Sequence, residues 1–110
     1  MSKLFVDLGD EVGQRLLGMF VEELVQMSVR VTQSLKNDDL DELLAVSHIL
    51  KNSASLYGAT DLADFARELN ENTERFTADI PGAANTLLTS INSAHHAAKE
   101  YALAAARGSK

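Results

Sequence analysis

The chain of 110 residues is 45% hydrophobic and 24% charged, a balance that fits one folded domain over residues 1–110 and argues against a disordered segment. Sixteen acidic against ten basic residues give a net charge of −6, which disfavours unaided binding to nucleic acid or to an anionic membrane surface. There is no cysteine for disulfide or thiol chemistry, no glycine-rich nucleotide loop, and no apolar run near the ~20 residues of a membrane span. Met1-Ser2-Lys3-Leu4-Phe5 lacks the longer apolar stretch of a secretory signal, so the expectation is a cytoplasmic protein.

The breakers divide the sequence into four helical segments. The first spans about Asp10 to Lys36, with Leu16, Met19, Phe20, Leu24, Met27, Val31 and Leu35 as its inward stripe. Gly13 and Gly18 are poor helix formers and mark where it would kink or start as a separate piece. A second apolar set, Leu17, Val21, Val25 and Val29, is read either as a wide buried face or as an exposed patch for a partner. Asn37-Asp38-Asp39 ends this helix and caps the next, which stops near Gly58.

Thr60 is the expected N-cap of the third helix, with Leu62, Phe65, Ala66, Leu69, Thr73 and Phe76 facing inward. Asp79-Ile80-Pro81-Gly82 opens the fourth, where a proline in the first turn loses no helical hydrogen bond. Ala84, Leu87, Ile91, Ala94, Ala98, Tyr101 and Ala105 then recur at spacings of three and four, and Gly108-Ser109-Lys110 is expected to fray. Strand signals are nearly absent. The fold class is all-α, an up-down-up-down antiparallel four-helix bundle with an N-terminal helix that is kinked or split.

The second helix carries the chemistry. At about 100° per residue, Leu43, Ser47, Leu50, Ala54 and Tyr57 share its inner face, with Leu40 and Val46 at the edges. His48 projects away from that face, with Leu44, Ala45, Lys51 and Asn52 as its neighbours at three and four residues, and Ser55 two turns on. A solitary surface histidine is most simply a solvated side chain, and Lys51 alone a solvated lysine. Together they suit another task. A neutral imidazole nitrogen can carry a phosphoryl group as a labile phosphoramidate, and a lysine one turn later offsets its charge. The short side chains leave room for a donor to approach in line. No base, metal cluster or phosphate-cradling loop accompanies the histidine, so catalysis must come from the partner.

This stretch resembles the signature of histidine-containing phosphotransfer domains, roughly H-x-L-K-G-S, then Ser or Ala, then x-x-x-G-A. It stands here as His48, Leu50, Lys51, Asn52, Ser53, Ala54, Gly58 and Ala59. The likeness extends into Asp61-Leu62-Ala63-Asp64-Phe65-Ala66-Arg67-Glu68-Leu69 and back to Phe20-Val21-Glu22-Glu23-Leu24. The resemblance implies His48 as phosphoacceptor and Lys51 as the residue that stabilises the phosphoryl group. It implies Asn70, where the family often has Gln or Glu, as the residue that orients the imidazole. The implied docking surface is Leu44, Ala45, Asn52 and Ser55 with Val21 of the first helix.

Asn52 is a departure, since the family usually has glycine there; its amide would narrow the approach or donate to a phosphoryl oxygen. The implied function is a monomeric, non-enzymatic carrier in a bacterial two-component phosphorelay, exchanging phosphoryl groups with receiver domains of a hybrid histidine kinase or response regulator. It would hold no cofactor of its own, the Mg²⁺ belonging to the receiver. The local string from Ser47-His48 to Gly58-Ala59 is most similar to single-domain phosphotransferases of quorum-sensing relays. The alternative is a helical module that has lost transfer and sequesters a receiver or kinase.

Other candidates carry less. Ser53 and Ser55 lack an ordered base and acid, and are read as small polar packing residues. Adjacent His95 and His96 point about 100° apart and are poorly placed to chelate one ion, so no metal site is expected. Glu22-Glu23 and Asp38-Asp39 are read as solvated faces and caps.

Overall fold

The computed structural model describes residues 10–108, with side chains described for residues 12–104. Four helices follow in order: α1 (Asp10–Asn37), α2 (Leu40–Leu56), α3 (Thr60–Glu71) and α4 (Ile80–Gly108), with a 3₁₀ turn at Thr73–Arg75. They form an up-down-up-down bundle in which α1 packs most extensively on α4 and α2 on α3. Two side-chain links fix the antiparallel sense of α1 and α2. Arg30 pairs with Glu42 at 2.5 Å, and Glu23 accepts from Ser53 at 2.9 Å, so the residue number falls on one helix as it rises on the other.

The linkers follow from local chemistry. Asp38 adopts φ 53°, and the Asp39 amide reaches back to the Ser34 carbonyl at 2.8 Å, closing α1 with a left-handed C-terminal turn. Asp39 then caps α2, its carboxylate accepting from the Glu42 amide at 3.1 Å. Gly58, at φ 76°, repeats the device at the end of α2, where the Ala59 amide donates to Ala54 at 2.8 Å. Asp79 caps α4 by accepting from the Gly82 amide at 3.0 Å.

Several boundaries differ from the sequence expectation. Among the described residues α1 is continuous through Gly13 and Gly18, so the split does not occur there. Nothing lies within 4 Å of the Cβ that Gly18 lacks, so that glycine serves no close approach. Ala59, and not Thr60, is the N-cap of α3, and it makes no side-chain cap. The cause is the tight closure of α2, which commits Ala59 to both helices. Helix α3 ends at Glu71, before Thr73 and Phe76. Thr73 turns its hydroxyl back onto the Leu69 and Asn70 carbonyls, while Phe76 meets Phe65 edge-on at a centroid distance of 5.7 Å.

The core runs the length of the bundle. In α1 its members are Leu17, Phe20, Leu24, Met27 and Val31; Met19 is 58% exposed, whereas Leu17 is wholly buried. Phe20, Leu24, Met27 and Val31 are thus core as the periodicity suggested, while Leu17 takes the place of Met19, and Leu16 and Leu35 are only half-buried. The second apolar set also divides: Leu17 is core, Val21 half-buried, Val25 and Val29 exposed. The face expected for α2 is buried throughout, including Val46 and Ser47. In α4, Ala83 joins Ala84, Leu87, Ile91, Ala94 and Ala98 in the core, and the alanines let α1 approach closely. Ala105, Ser109 and Lys110 lie outside the described side chains, as does the Met1–Phe5 stretch.

Candidate functional site

The rigidity of α2 decides where His48 sits. Leu43, Val46, Leu50 and Ala54 are fully buried, and Tyr57 stacks on Phe20 with ring centroids 4.4 Å apart and planes 13° from parallel. Opposite that buried face, Ala45, His48, Asn52 and Ser55 are exposed, flanked by half-buried Leu44 and Lys51. The imidazole stands on the outer face of a firmly seated helix, with short neighbours around it. This is an arrangement a second protein can cover without displacing bulky side chains.

Besides the Arg30–Glu42 pair, two hydrogen bonds from neighbouring helices hold this helix nearer His48. From α3, the Asn70 amide donates to the Leu44 carbonyl at 3.0 Å. From α1, Glu23 accepts from the Ser53 hydroxyl at 2.9 Å. Glu23 is therefore half-buried and engaged, not the solvated residue the sequence suggested. Burial pushes the Tyr57 phenol above its ordinary value, and the nearby Glu23 carboxylate adds to the shift. Beside His48, an open groove of about 420 Å³ runs between α2 and α3, lined by Lys51, Asn52, Ser55, Leu56, Arg67 and Glu71.

A family model, the Hpt domain, matches residues 15–100. The chain belongs to the Hpt family. Members of that family are phosphocarrier modules that act by histidine phosphotransfer in phosphorelays and interact with receiver domains. No curated protein and no solved structure matches the chain significantly.

Within this Hpt domain, the structure gathers most of the residues singled out in the sequence. His48, Leu44, Ala45, Asn52 and Ser55 share the outer side of α2, with Lys51 at its edge and Asn70 across the α2–α3 seam. Val21 is separated from them. It lies on the flank of α1 that carries Val25 and Ser28, and those two line a small cavity with Ile91, Asn92 and His95 of α4. The opposite flank, with Glu23 and Arg30, is the one that bonds to α2.

The Asn70 side-chain amide donates to the Leu44 carbonyl one turn before His48, a backbone bond the sequence did not anticipate. The Asn52 amide folds back to the His48 carbonyl at 3.5 Å instead of reaching outward. His95 is half-buried and His96 exposed; among the described residues no group of three His, Cys, Asp or Glu side chains could hold a metal ion. None of the described helices is long and apolar enough to cross a membrane.

Sequence reasoning took Glu23 for a solvated residue and gave Leu56 and Arg67 no part. Leu56, 68% exposed, is among the residues that line the groove. Its angular position, well away from Leu50 and Ala54 on the helical wheel, was the available signal. For Glu23 and Arg67 the signal would have been three-dimensional, since Glu23 bonds across to α2 and Arg67 lines a groove that exists only where α3 meets α2.

Proposed function

We propose that this Hpt domain carries phosphoryl groups on His48, accepting one from the aspartyl phosphate of a receiver domain and passing it to a second receiver. What supports this most is the exposed imidazole on a buttressed helix, ringed by Ala45, Asn52 and Ser55 and with Lys51 one turn away. In the forward step the lone pair of an unprotonated ring nitrogen forms the P–N bond. The P–O bond to the aspartate breaks, and the carboxylate leaves with its electron pair. Discharge runs the same exchange in reverse onto another carboxylate. Lys51 offsets the added negative charge in both directions.

Catalysis beyond positioning belongs to the receiver, whose acidic site would hold the Mg²⁺; the carrier is stoichiometric and no enzyme. It would work as a monomer in the cytoplasm, its His48 face open to two receivers in turn. The local likeness to quorum-sensing phosphotransferases supports that class of relay. The test charges a panel of receiver domains from the same genome with radiolabelled phosphate and mixes each with wild type and His48→Gln. Acid-labile, alkali-stable label on the wild type alone is expected. Binding without label in either protein would replace the carrier with a sequestering module, and label persisting in His48→Gln would move the acceptor elsewhere.

A further inference from the structure

The groove beside His48 gathers two cations in a chain that is acidic as a whole. The chain has a net charge of −6, yet the groove walls present Lys51 from α2 and Arg67 from α3 against the single acid Glu71. Asn52 and Ser55 add a polar lining, and exposed Leu56 an apolar one. It begins three and four residues beyond His48 in sequence, so any protein that covers the imidazole reaches it without a second footprint.

The engagement of Arg67 is weak. Its guanidinium lies 3.3 Å from Asp64, one turn back on the same helix, and both side chains are more than half exposed. A pair of that kind contributes little and is readily exchanged for a better-placed carboxylate. The guanidinium also presents a planar fork that matches a carboxylate at two points, which the point charge of Lys51 does not.

We infer that Arg67 is a specificity-determining residue for the receiver partner, pairing across the Lys51–Arg67 groove with a carboxylate that the receiver places beside its phosphorylated aspartate. Resting on the carrier reading above, this assigns selectivity to α3, a helix that does not bear the histidine. Lys51 serves the phosphoryl group, and Arg67 serves the protein that delivers it. A receiver lacking the acid leaves both cations facing a neutral surface, and one with a base there meets like charge.

The experiment compares two phosphodonors on wild type, Arg67→Ala, Arg67→Glu and Arg67→Lys. One is the receiver that transfers fastest to the wild type; the other is phosphoramidate, a small donor that needs no docking surface. With the receiver, the apparent KM should rise about tenfold in Arg67→Ala and further in Arg67→Glu, with the maximal rate within about twofold and partial recovery in Arg67→Lys. Raising salt should slow the wild type towards Arg67→Ala and alter that variant less. Labelling of His48 by phosphoramidate should be the same in all four proteins. Equal receiver KM values in wild type and Arg67→Glu would overturn the assignment of Arg67. A wild type that phosphoramidate and every charged receiver fail to label would instead overturn the carrier reading.

Discussion

The side-chain amide of Asn70 donates to the carbonyl oxygen of Leu44 at 3.0 Å. Leu44 lies four residues before His48, so that carbonyl is also the helical acceptor for the His48 amide. One oxygen therefore joins the turn bearing the imidazole to the adjacent helix. Asn70→Ala should remove the clamp at a cost of about 1 kcal/mol, a typical net value for such a bond. On a chain of this size that lowers Tm by roughly 4–8 °C. Because the helix then seats less firmly, receiver-to-His48 transfer should slow several-fold while labelling by a small phosphodonor changes less. A melt and a transfer time course on the same sample check both; an unchanged melting point would show that the bond contributes nothing.

Tyr57 gives a pH dependence with a defined sign. Its phenol is pushed up from the ordinary value near 10, first by burial and second by Glu23. The folded state therefore prefers the neutral phenol. This contribution is fully present below pH ~10 and is lost as pH rises through the folded-state value, because the unfolded chain ionises first. Tyr57→Phe should make stability less sensitive to alkali, provided the stack on Phe20 survives. Glu23→Gln should lower the phenol's midpoint only part of the way, burial being the larger cause. Phenolate absorbance, with Tyr57→Phe to separate out Tyr101, reads both effects.

The two left-handed positions among the described residues make a contrasting pair. Gly58 at φ 76° tolerates the turn that ends α2, whereas a side chain there is strained by about 1–2 kcal/mol. Gly58→Ala should destabilise by that amount. Asp38 holds φ 53° at the corresponding place after α1, so Asp38→Gly should be neutral or mildly stabilising. Chemical denaturation of both variants checks the prediction, and equal effects of the same sign would contradict it.

The fold was largely legible because its signals are local. The α2 face from Leu43 to Tyr57, the caps at Asp39 and Asp79, and the Gly58 stop all follow from periodicity and backbone chemistry. The residues around His48 were legible for the same reason, lying on one helix. What depended on packing was not. Glu23 and Asn70 act across helix seams, and no spacing within their own helices shows which backbone or hydroxyl they will meet. Val21 was grouped with the docking residues although it faces the α4 side of α1, a distinction set by the direction from which α2 approaches. Asn52 reads outward on a wheel, yet its short amide finds its own helix first.

The stripe of α1 offers a direct measure of that difference. Leu16, Leu17, Met19 and Phe20 form an apolar run in which periodicity fits more than one inward face, and the sequence favoured Leu16 and Met19. In the bundle Leu17 is wholly buried and Met19 is 58% exposed. Leu17→Ala removes a buried side chain and leaves a cavity, so it should cost about 2–5 kcal/mol. Met19→Ala trims a side chain already largely in water and should change stability by no more than about 0.5 kcal/mol. Urea titrations of the two single variants decide the matter, with slopes compared to show that the unfolded states are alike. A larger loss in Met19→Ala than in Leu17→Ala would mean that α1 is rotated about its axis. Glu23 and Arg30 would then no longer face α2, and the helix that carries His48 would lose its supports from α1.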